Sequence, residues 1–303
     1  MKSMLRTSTA AATEMAICIV NWNTRDLLID CLHHLFEENP AYTVWVLDNG
    51  STDGSAARLR DTYPWVHLVE SSENRGFAGG VNELLQRCPA NYLLVLNTDA
   101  KPAPGAIAML HDYITSHLWV AAVGPRLIDG SGRWLGCHDR FPTVRQEVAN
   151  VLGLRHSRAH DDVRSRVDWI EGACMMLSAI AVGEVGALDT GYFMYNEEVD
   201  WCHRARKLGW QIACLPQARV VHDVGKSGSI RRRAQLCSSK IRYQRLHGSR
   251  LGAAVLAATL VLINAGLFVA YSIRAGWRAD RTRSHAYAVA VCARQLTRSP
   301  QFP

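Results

Sequence analysis

No pair among the nine cysteines (18, 31, 88, 137, 174, 202, 214, 237 and 292) has C-x-x-C or metal-finger spacing, and several lie inside apolar runs. That excludes a disulfide framework and a zinc module, and it points to buried thiols in a reducing compartment. An apolar h-region is missing from the first fourteen residues, since MAICIV at 15–20 is only a strand's length. A signal peptide is therefore not expected, residues 1–14 read as a flexible N-terminus, and the catalytic part is expected in the cytoplasm. Internal repeats are absent as well. Acid is scarce in one place only: residues 231–303 hold 13 Lys/Arg against a single acid, Asp280, which leaves 21 basic and 26 acidic residues in 1–230. The net charge of +7 is thus a property of the tail. A nucleic-acid protein carries its basic patch on the folded domain, whereas basic clusters beside an apolar segment suit an anionic membrane surface.

What is present is a chain of 303 residues with 48% hydrophobic content, enough for one large or two small domains and too apolar for a disordered or fibrous protein. Residues 15–20 read as a buried strand. After the polar turn Asn21-Trp22-Asn23-Thr24, with Thr24 as N-cap, Leu27, Leu28, Cys31, Leu32 and Leu35 recur at helical spacing until Asn39-Pro40. A second strand at 43–47 stops at DNGSTDGS (48–55), a loop-forming cluster leading into a helix. A third strand at 66–70 precedes Asn74-Arg75-Gly76-Phe77-Ala78-Gly79-Gly80, which opens a helix to about residue 88. Glycines at such a start let a ligand approach the backbone, and helix N-termini attract anions. A fourth strand, YLLVLNTDA at 92–100, leaves Asp99 at its carboxyl end; a helix at 104–116 and a strand at 119–123 follow. The alternation predicts an α/β fold with a mostly parallel sheet flanked by helices, and ligands bind at the carboxyl edge of such sheets.

Residues 126–166 lack periodicity and read as a surface excursion folding over the cleft. VDWIEGACMML at 167–177 returns to strand character, interrupted by Glu171-Gly172, as at a bulge or where a backbone faces a ligand. A helix entered at Glu197-Glu198 runs to Leu208, with Asp200 placed to orient Arg204, and strands at 210–215 and 220–222 close the folded part. Residues 251–273 then contain no charged side chain and are long enough to span roughly 30 Å of hydrocarbon. Gly252, Thr259, Asn264 and Gly266 leave an interfacial or re-entrant helix open, and a core helix too. Arg274, Arg278, Arg281 and Arg283 lie beyond the segment, so positive charge does not orient it.

IVNWN, VLDNGSTDGS, NRGFAGGVN, LLVLNTDA, WIEGACMM, GYFMYNEEVDWCHRARKLGW and the VVH ending at 222 stand in one order over residues 15–230. In that order they resemble the inverting family 2 glycosyltransferases of the GT-A fold, in particular the bacterial rhamnosyltransferase-like branch that builds cell-surface polysaccharides. The resemblance implies a Rossmann-like nucleotide-sugar half (15–125) and an acceptor half (126–230); residues 231–303, beyond it, read from their own composition as a basic, membrane-associated helical tail with the apolar helix 251–273. It implies that Asn21, Asn23, Asp48, Asn74, Arg75, Gly76 and Asn97 bind the donor. Asp99 would be the metal ligand of a D-x-D-type motif, presenting Mg2+ or Mn2+ to the diphosphate, with His222 as a distant third contact. Thr98 replaces a proline and should loosen the turn. Glu198, where the family has aspartate, would be the base, kept ionised by the helix N-terminus, with Glu197 as the competing carboxylate. Trp169, Glu171 and Gly172 would meet the sugar or the acceptor, and Trp201 is a further acceptor candidate that could as easily be core.

The implied donor is dTDP-rhamnose and the implied acceptor a lipid-linked saccharide, handled at the cytoplasmic face of the inner membrane, tail-anchored or peripheral, with no nucleic-acid partner. A nucleotidyltransferase is the enzymatic alternative, but residues 15–25 lack a Gly-rich loop with a basic residue to grip a triphosphate. A non-catalytic glycosyltransferase-like membrane scaffold is the other, opposed by Asp99 and Glu198.

Overall fold

The computed structural model describes residues 13–135, 138–154, 166–222, 230–277 and 279–297. The N-terminal segment expected to be flexible lies outside these except for Thr13 and Glu14, and so does Cys137. The chain begins with β1 (Thr13–Asn21), α1 (Arg25–Glu38), β2 (Val44–Asn49), α2 (Ser55–Thr62), β3 (His67–Ser71), α3 (Gly76–Arg87) and β4 (Ala90–Leu96). Next come β5 (Ala100–Pro102), α4 (Ala106–Ser116), β6 (Val120–Ile128), β7 (His138–Asp139), α5 (Val144–Val151), β8 (Arg166–Val167), β9 (Trp169–Ile170), β10 (Cys174–Ser178), α6 (Ala179–Val185), α7 (Glu197–Lys207) and β11 (Gln211–His222). Three helices end the chain: α8 (Arg232–His247), α9 (Arg250–Ala275) and α10 (Asp280–Thr297).

A nine-stranded sheet runs in the order β3-β2-β1-β4-β10-β6-β11-β5, with β8 also on β11. The first four strands are parallel, as their continuous apolar runs require: Ala16, Ile17, Cys18 and Ile19 of β1 are all fully buried, because helices cover both faces. Beyond β4 the sheet is mixed, since β10 is antiparallel to both β4 and β6 while β11 is parallel to β6. The two C-terminal strand runs form one strand, β11, with a register shift between Leu215 and Arg219. The strand run at 167–177 divides into β8, β9 and β10 around the Glu171-Gly172 break. The region expected as an irregular excursion contains the end of β6, β7 and α5, the last opened by a Thr143/Gln146 capping box.

The eight described cysteines are buried thiols. A second, smaller core lies under α8, α9 and α10, where Cys237 and Ile241 of α8 pack with Leu256, Ala257 and Leu260 of α9 and Cys292 of α10. The basic stretch ahead of α9, read in sequence as charge for a membrane, is partly spent inside the protein. Lys240 pairs with Glu147 at 2.6 Å, Arg242 with Asp189 at 2.6 Å, and Arg245 donates to Gln295. The first two tie α8 to the sheet domain, together with Gln244 donating to the Pro142 carbonyl and Ser239 to the Met194 carbonyl, while the Arg245 bond ties it to α10.

Candidate active site

Strand direction alone gathers the polar residues. β1, β2 and β4 are parallel, so Asn21, Asp48 and Asn97 emerge at one edge, and Asn21 stands opposite Asp48 in the ladder. Asp48 accepts from the Ser51 N–H at 2.8 Å and from Asn21 Nδ2 at 3.3 Å. The Ser51 hydroxyl accepts from Asn21 Nδ2 and from the Asn23 N–H, while Asn23 Oδ1 accepts from the Thr52 N–H at 2.8 Å. Asn23 has a positive φ of 52°, a conformation that asparagine tolerates. One turn further on, Asn49 Nδ2 donates to Asn74 Oδ1 and to the Gly76 carbonyl, its Oδ1 accepts from the Arg75 N–H, and Asn74 Oδ1 accepts from the Gly76 N–H. The Arg75 side chain is about half exposed at the N-terminus of α3, with Glu83 at 3.4 Å.

Asp99 follows β4 and is nearly buried. The antiparallel pairing of β5 with β11 sets Ala100 opposite His222, which brings His222 Nε2 to 3.2 Å from Asp99 Oδ1. A carboxylate oxygen and an imidazole nitrogen this close fit a single Mg2+ or Mn2+ that takes its remaining ligands from phosphate oxygens and water. Among the described residues no group of three or more His, Cys, Asp or Glu would hold an ion without such help. Thr98 does not loosen the turn as expected. It is buried, and its hydroxyl lies 3.0 Å from that of Thr24, which also donates to Asn21 Oδ1. Thr24 therefore occupies the N-cap position of α1 without making the cap bond.

On the other side of the edge, the Asn97 N–H donates to the Ala173 carbonyl at 2.9 Å, which fixes the Glu171-Gly172-Ala173 break beside the Asp99 turn. Glu197 and Glu198 open α7 and are buried, each with an Oε2 that has no hydrogen-bond partner. Burial, outweighing the helix N–H groups, pushes Glu197 up to about 8, and the Glu171 charge adds to this. Glu198 is raised well above the carboxylate range by burial and then by Glu197 and Glu171; Glu171 is raised by burial against the opposing charge of His222. The helix N-terminus, expected to keep Glu198 ionised, does not by itself set its proton affinity: withdrawal from water outweighs the dipole, and neighbouring carboxyls oppose a second charge.

The loop entering α7 is held from two sides. The Phe193 carbonyl accepts from the Phe77 N–H at 2.8 Å, and the Met194 carbonyl accepts from Ser239 of α8. Gly76 makes the first contact possible, because it holds φ +75° and an added Cβ would sit 2.3 Å from the Phe193 oxygen. Tyr195 and Asn196 both have left-handed φ, 73° and 68°. A bulky residue there costs of order 1 to 3 kcal/mol, and that strain presents the acidic pair at this spot. Behind it, Asp200 accepts from Arg204 Nε at 2.8 Å and bonds His247 Nε2 at 2.6 Å.

The candidate acceptor residues separate. Trp169 is half-buried, with its indole N–H on the Arg140 carbonyl, and Gly172 packs near Glu198. Trp201 is fully buried and donates to the Gly186 carbonyl, so it belongs to the core and not to the cleft.

The family 2 description, "Glycosyl transferase family 2", matches residues 16–167. The chain belongs to glycosyltransferase family 2. This family 2 chain is 30% identical over 216 residues to the N-acetylglucosaminyl-diphospho-decaprenol L-rhamnosyltransferase of Mycobacterium tuberculosis, covering 64% of this chain and 70% of that one. It is 23% identical over 227 residues to the rhamnosyltransferase WbbL of Escherichia coli, covering 68% and 82%. In structure it resembles the mannosyltransferase PcManGT of Pyrobaculum calidifontis, solved with GDP-Man and Mn2+, at a TM-score of 0.60 and 18% identity over 95% of this chain and 88% of that one. The family 2 fold is GT-A-like. Ser51, Asn49 and Tyr195 did not stand out in the sequence; the density of DNGSTDGS was the signal for Ser51, and nothing in the sequence marks Tyr195. Glu171 was legible as a contact but not as the third member of a carboxyl cluster.

Proposed function

We propose that this glycosyltransferase moves rhamnose, with inversion, from dTDP-rhamnose to a lipid-linked saccharide destined for a cell-surface polysaccharide, at the cytoplasmic face of the inner membrane. The 15–125 part serves the donor, 126–230 the acceptor, and 231–303 the membrane. Support for the sugar comes from the two relatives named rhamnosyltransferases. The observation that carries the reading is the 3.2 Å approach of His222 to Asp99 at the edge where Asp48 and Glu198 also converge. Asn21, Asn23 and Asp48 take the base and ribose, and Asn74, Arg75, Gly76 and Asn97 line the way to the diphosphate. Asp99 and His222 hold a divalent cation, which when bound neutralises charge on the leaving nucleoside diphosphate.

In its ionised form Glu198 takes the proton of the acceptor hydroxyl as that oxygen bonds to the anomeric carbon from the face opposite the diphosphate. The bond from that carbon to the diphosphate oxygen breaks, and its electron pair leaves with the nucleotide. A carboxyl whose proton affinity is raised by burial is a stronger base than an exposed one. Burial raises that affinity first and Glu197 and Glu171 add to it, and Trp169 and Gly172 position the acceptor.

A thermal-shift screen of nucleotide sugars with and without Mn2+ tests the reading. Stabilisation by dTDP-rhamnose that needs Mn2+ is expected. A shift with another nucleotide sugar alone would replace the donor, and none with any would overturn the reading.

A further inference from the structure

Only one described helix, Arg250–Arg274, is long and apolar enough to cross a membrane, yet its surroundings differ from those of a crossing helix. At ~100° per residue, Leu251, Val255, Leu262, Val269 and Ile273 fall within about 40° of one another, and each is 47% to 80% exposed. On the opposite side Ala253, Leu256, Ala257, Leu260 and Asn264 are buried. That buried side is occupied by protein. Asn264 Oδ1 lies 2.9 Å from His285 Nδ1 of α10, and Cys237 of α8 reaches the Asn264 side chain.

α8 therefore runs beside α9 as far as Asn264, and α8 is itself bonded to the sheet domain through Lys240, Arg242 and Gln244. Past that point residues 265–275 give about 16 Å of helix at 1.5 Å per residue, half of the ~30 Å hydrocarbon thickness. A crossing would draw α8 with its arginines, and α10 with Arg281 and Arg283, into lipid. Each charge there costs several kcal/mol.

We infer that α9 lies flat in the surface of an anionic bilayer, with the stripe from Leu251 to Ile273 in the acyl boundary and α8 and α10 clamping its back, so that the chain is monotopic. Charge complementarity names the occupant. Exposed Arg250 and Arg274 flank the stripe, and exposed Arg281 and Arg283 follow. An apolar face flanked by arginines binds anionic headgroups and buries its stripe some 5 to 10 Å deep. The inference rests on the proposed membrane site of action and adds the geometry: the acceptor's lipid carrier reaches the cleft along the surface that α9 floats on.

The test uses the full chain. Arg250→Cys and Trp277→Cys place a thiol at either end of α9, probed with a membrane-impermeant maleimide in spheroplasts and in inside-out vesicles. Labelling of both only in inside-out vesicles is expected; labelling of Trp277→Cys from the outer side would show a span and overturn the inference. Leu262→Glu combined with Val269→Glu changes exposed positions and should leave the fold intact. It should cut binding to phosphatidylglycerol/phosphatidylethanolamine vesicles by about tenfold or more, with little binding of the unchanged chain to phosphatidylcholine alone. Unchanged binding by the double variant, or no vesicle binding by the unchanged chain, would also overturn it. Nucleotide-sugar stabilisation persisting without vesicle binding sinks this inference alone; vesicle binding without any nucleotide-sugar response sinks the proposed function alone.

Discussion

At the β1–β2 end of the carboxyl edge, Asp48 accepts from Ser51 and Asn21, Asn23 is bonded on both its N–H and its Oδ1, and Asn49 and Asn74 bond each other. At the β10–α7 end, Glu197 and Glu198 are buried as Asn21, Asp48 and Asn49 are, but each keeps an oxygen without a partner, and their proton affinities are raised. A buried polar group without a partner costs of order 1 to 3 kcal/mol, so the fold tolerates at one end what it avoids at the other. Groups that satisfy one another form a rigid surface on which a ligand is held without reorganisation. Carboxyls withdrawn from water and crowded together are poised to accept or give a proton. On the proposed function the contrast is between gripping and reacting, with Asp99 and His222 at the boundary.

Removing the boundary should have the largest effect. Asp99→Ala is expected to lower the transfer rate about a thousandfold, as the loss of several kcal/mol of charge neutralisation implies, read as turnover of the nucleotide sugar with Mn2+ present. A rate within a few-fold of the unchanged enzyme would dissolve the boundary.

A smaller effect sharpens the reacting end through pH. Unfolded Glu197 releases its proton near 4.5, while the folded chain keeps it to about 8. Its contribution to stability is therefore whole below 4.5 and is lost as pH rises to 8. Melting temperatures across that window should fall more steeply for the unchanged protein than for Glu197→Gln. Parallel curves would mean that this carboxyl is solvated like an ordinary one.

Least is expected from the joint between the two ends. Gly76→Ala forces a Cβ onto the Phe193 carbonyl and should lower the melting temperature by several degrees, about 2 kcal/mol. An unchanged melting temperature would show the Phe193 loop free to move aside.

The gripping end was legible in the sequence because it is local. β1, β2 and β4 are unbroken apolar runs that end in Asn21, Asp48 and Asn97, and parallel strands put such ends together without further information. The reacting end depends on distant pairing. β5 is three residues containing a proline, and it is a strand only because β11 lies beside it. That pairing sets His222 against Asp99. α8 was not legible as a helix because Ser239, Gln244 and His247 are turned to the sheet domain while Ala234, Cys237 and Ile241 face the smaller core, so the stretch reads as a basic run. Trp201 gives the same hydrophobic signal whether it floors a cleft or fills a core, and only its contact with Gly186 decides. Burial of the Glu197-Glu198 pair is likewise tertiary, which is why the helix dipole looked decisive in the sequence and is not.

The division between gripping and reacting is tested most directly in Glu198→Gln, by measuring donor binding calorimetrically with Mn2+ beside transfer to acceptor. Donor affinity within about twofold of the unchanged enzyme, with transfer at least about a hundredfold slower, is the expected result for a base that acts only in the chemical step. A loss of donor affinity that accounts for the whole loss of transfer would contradict it and make Glu198 part of the grip.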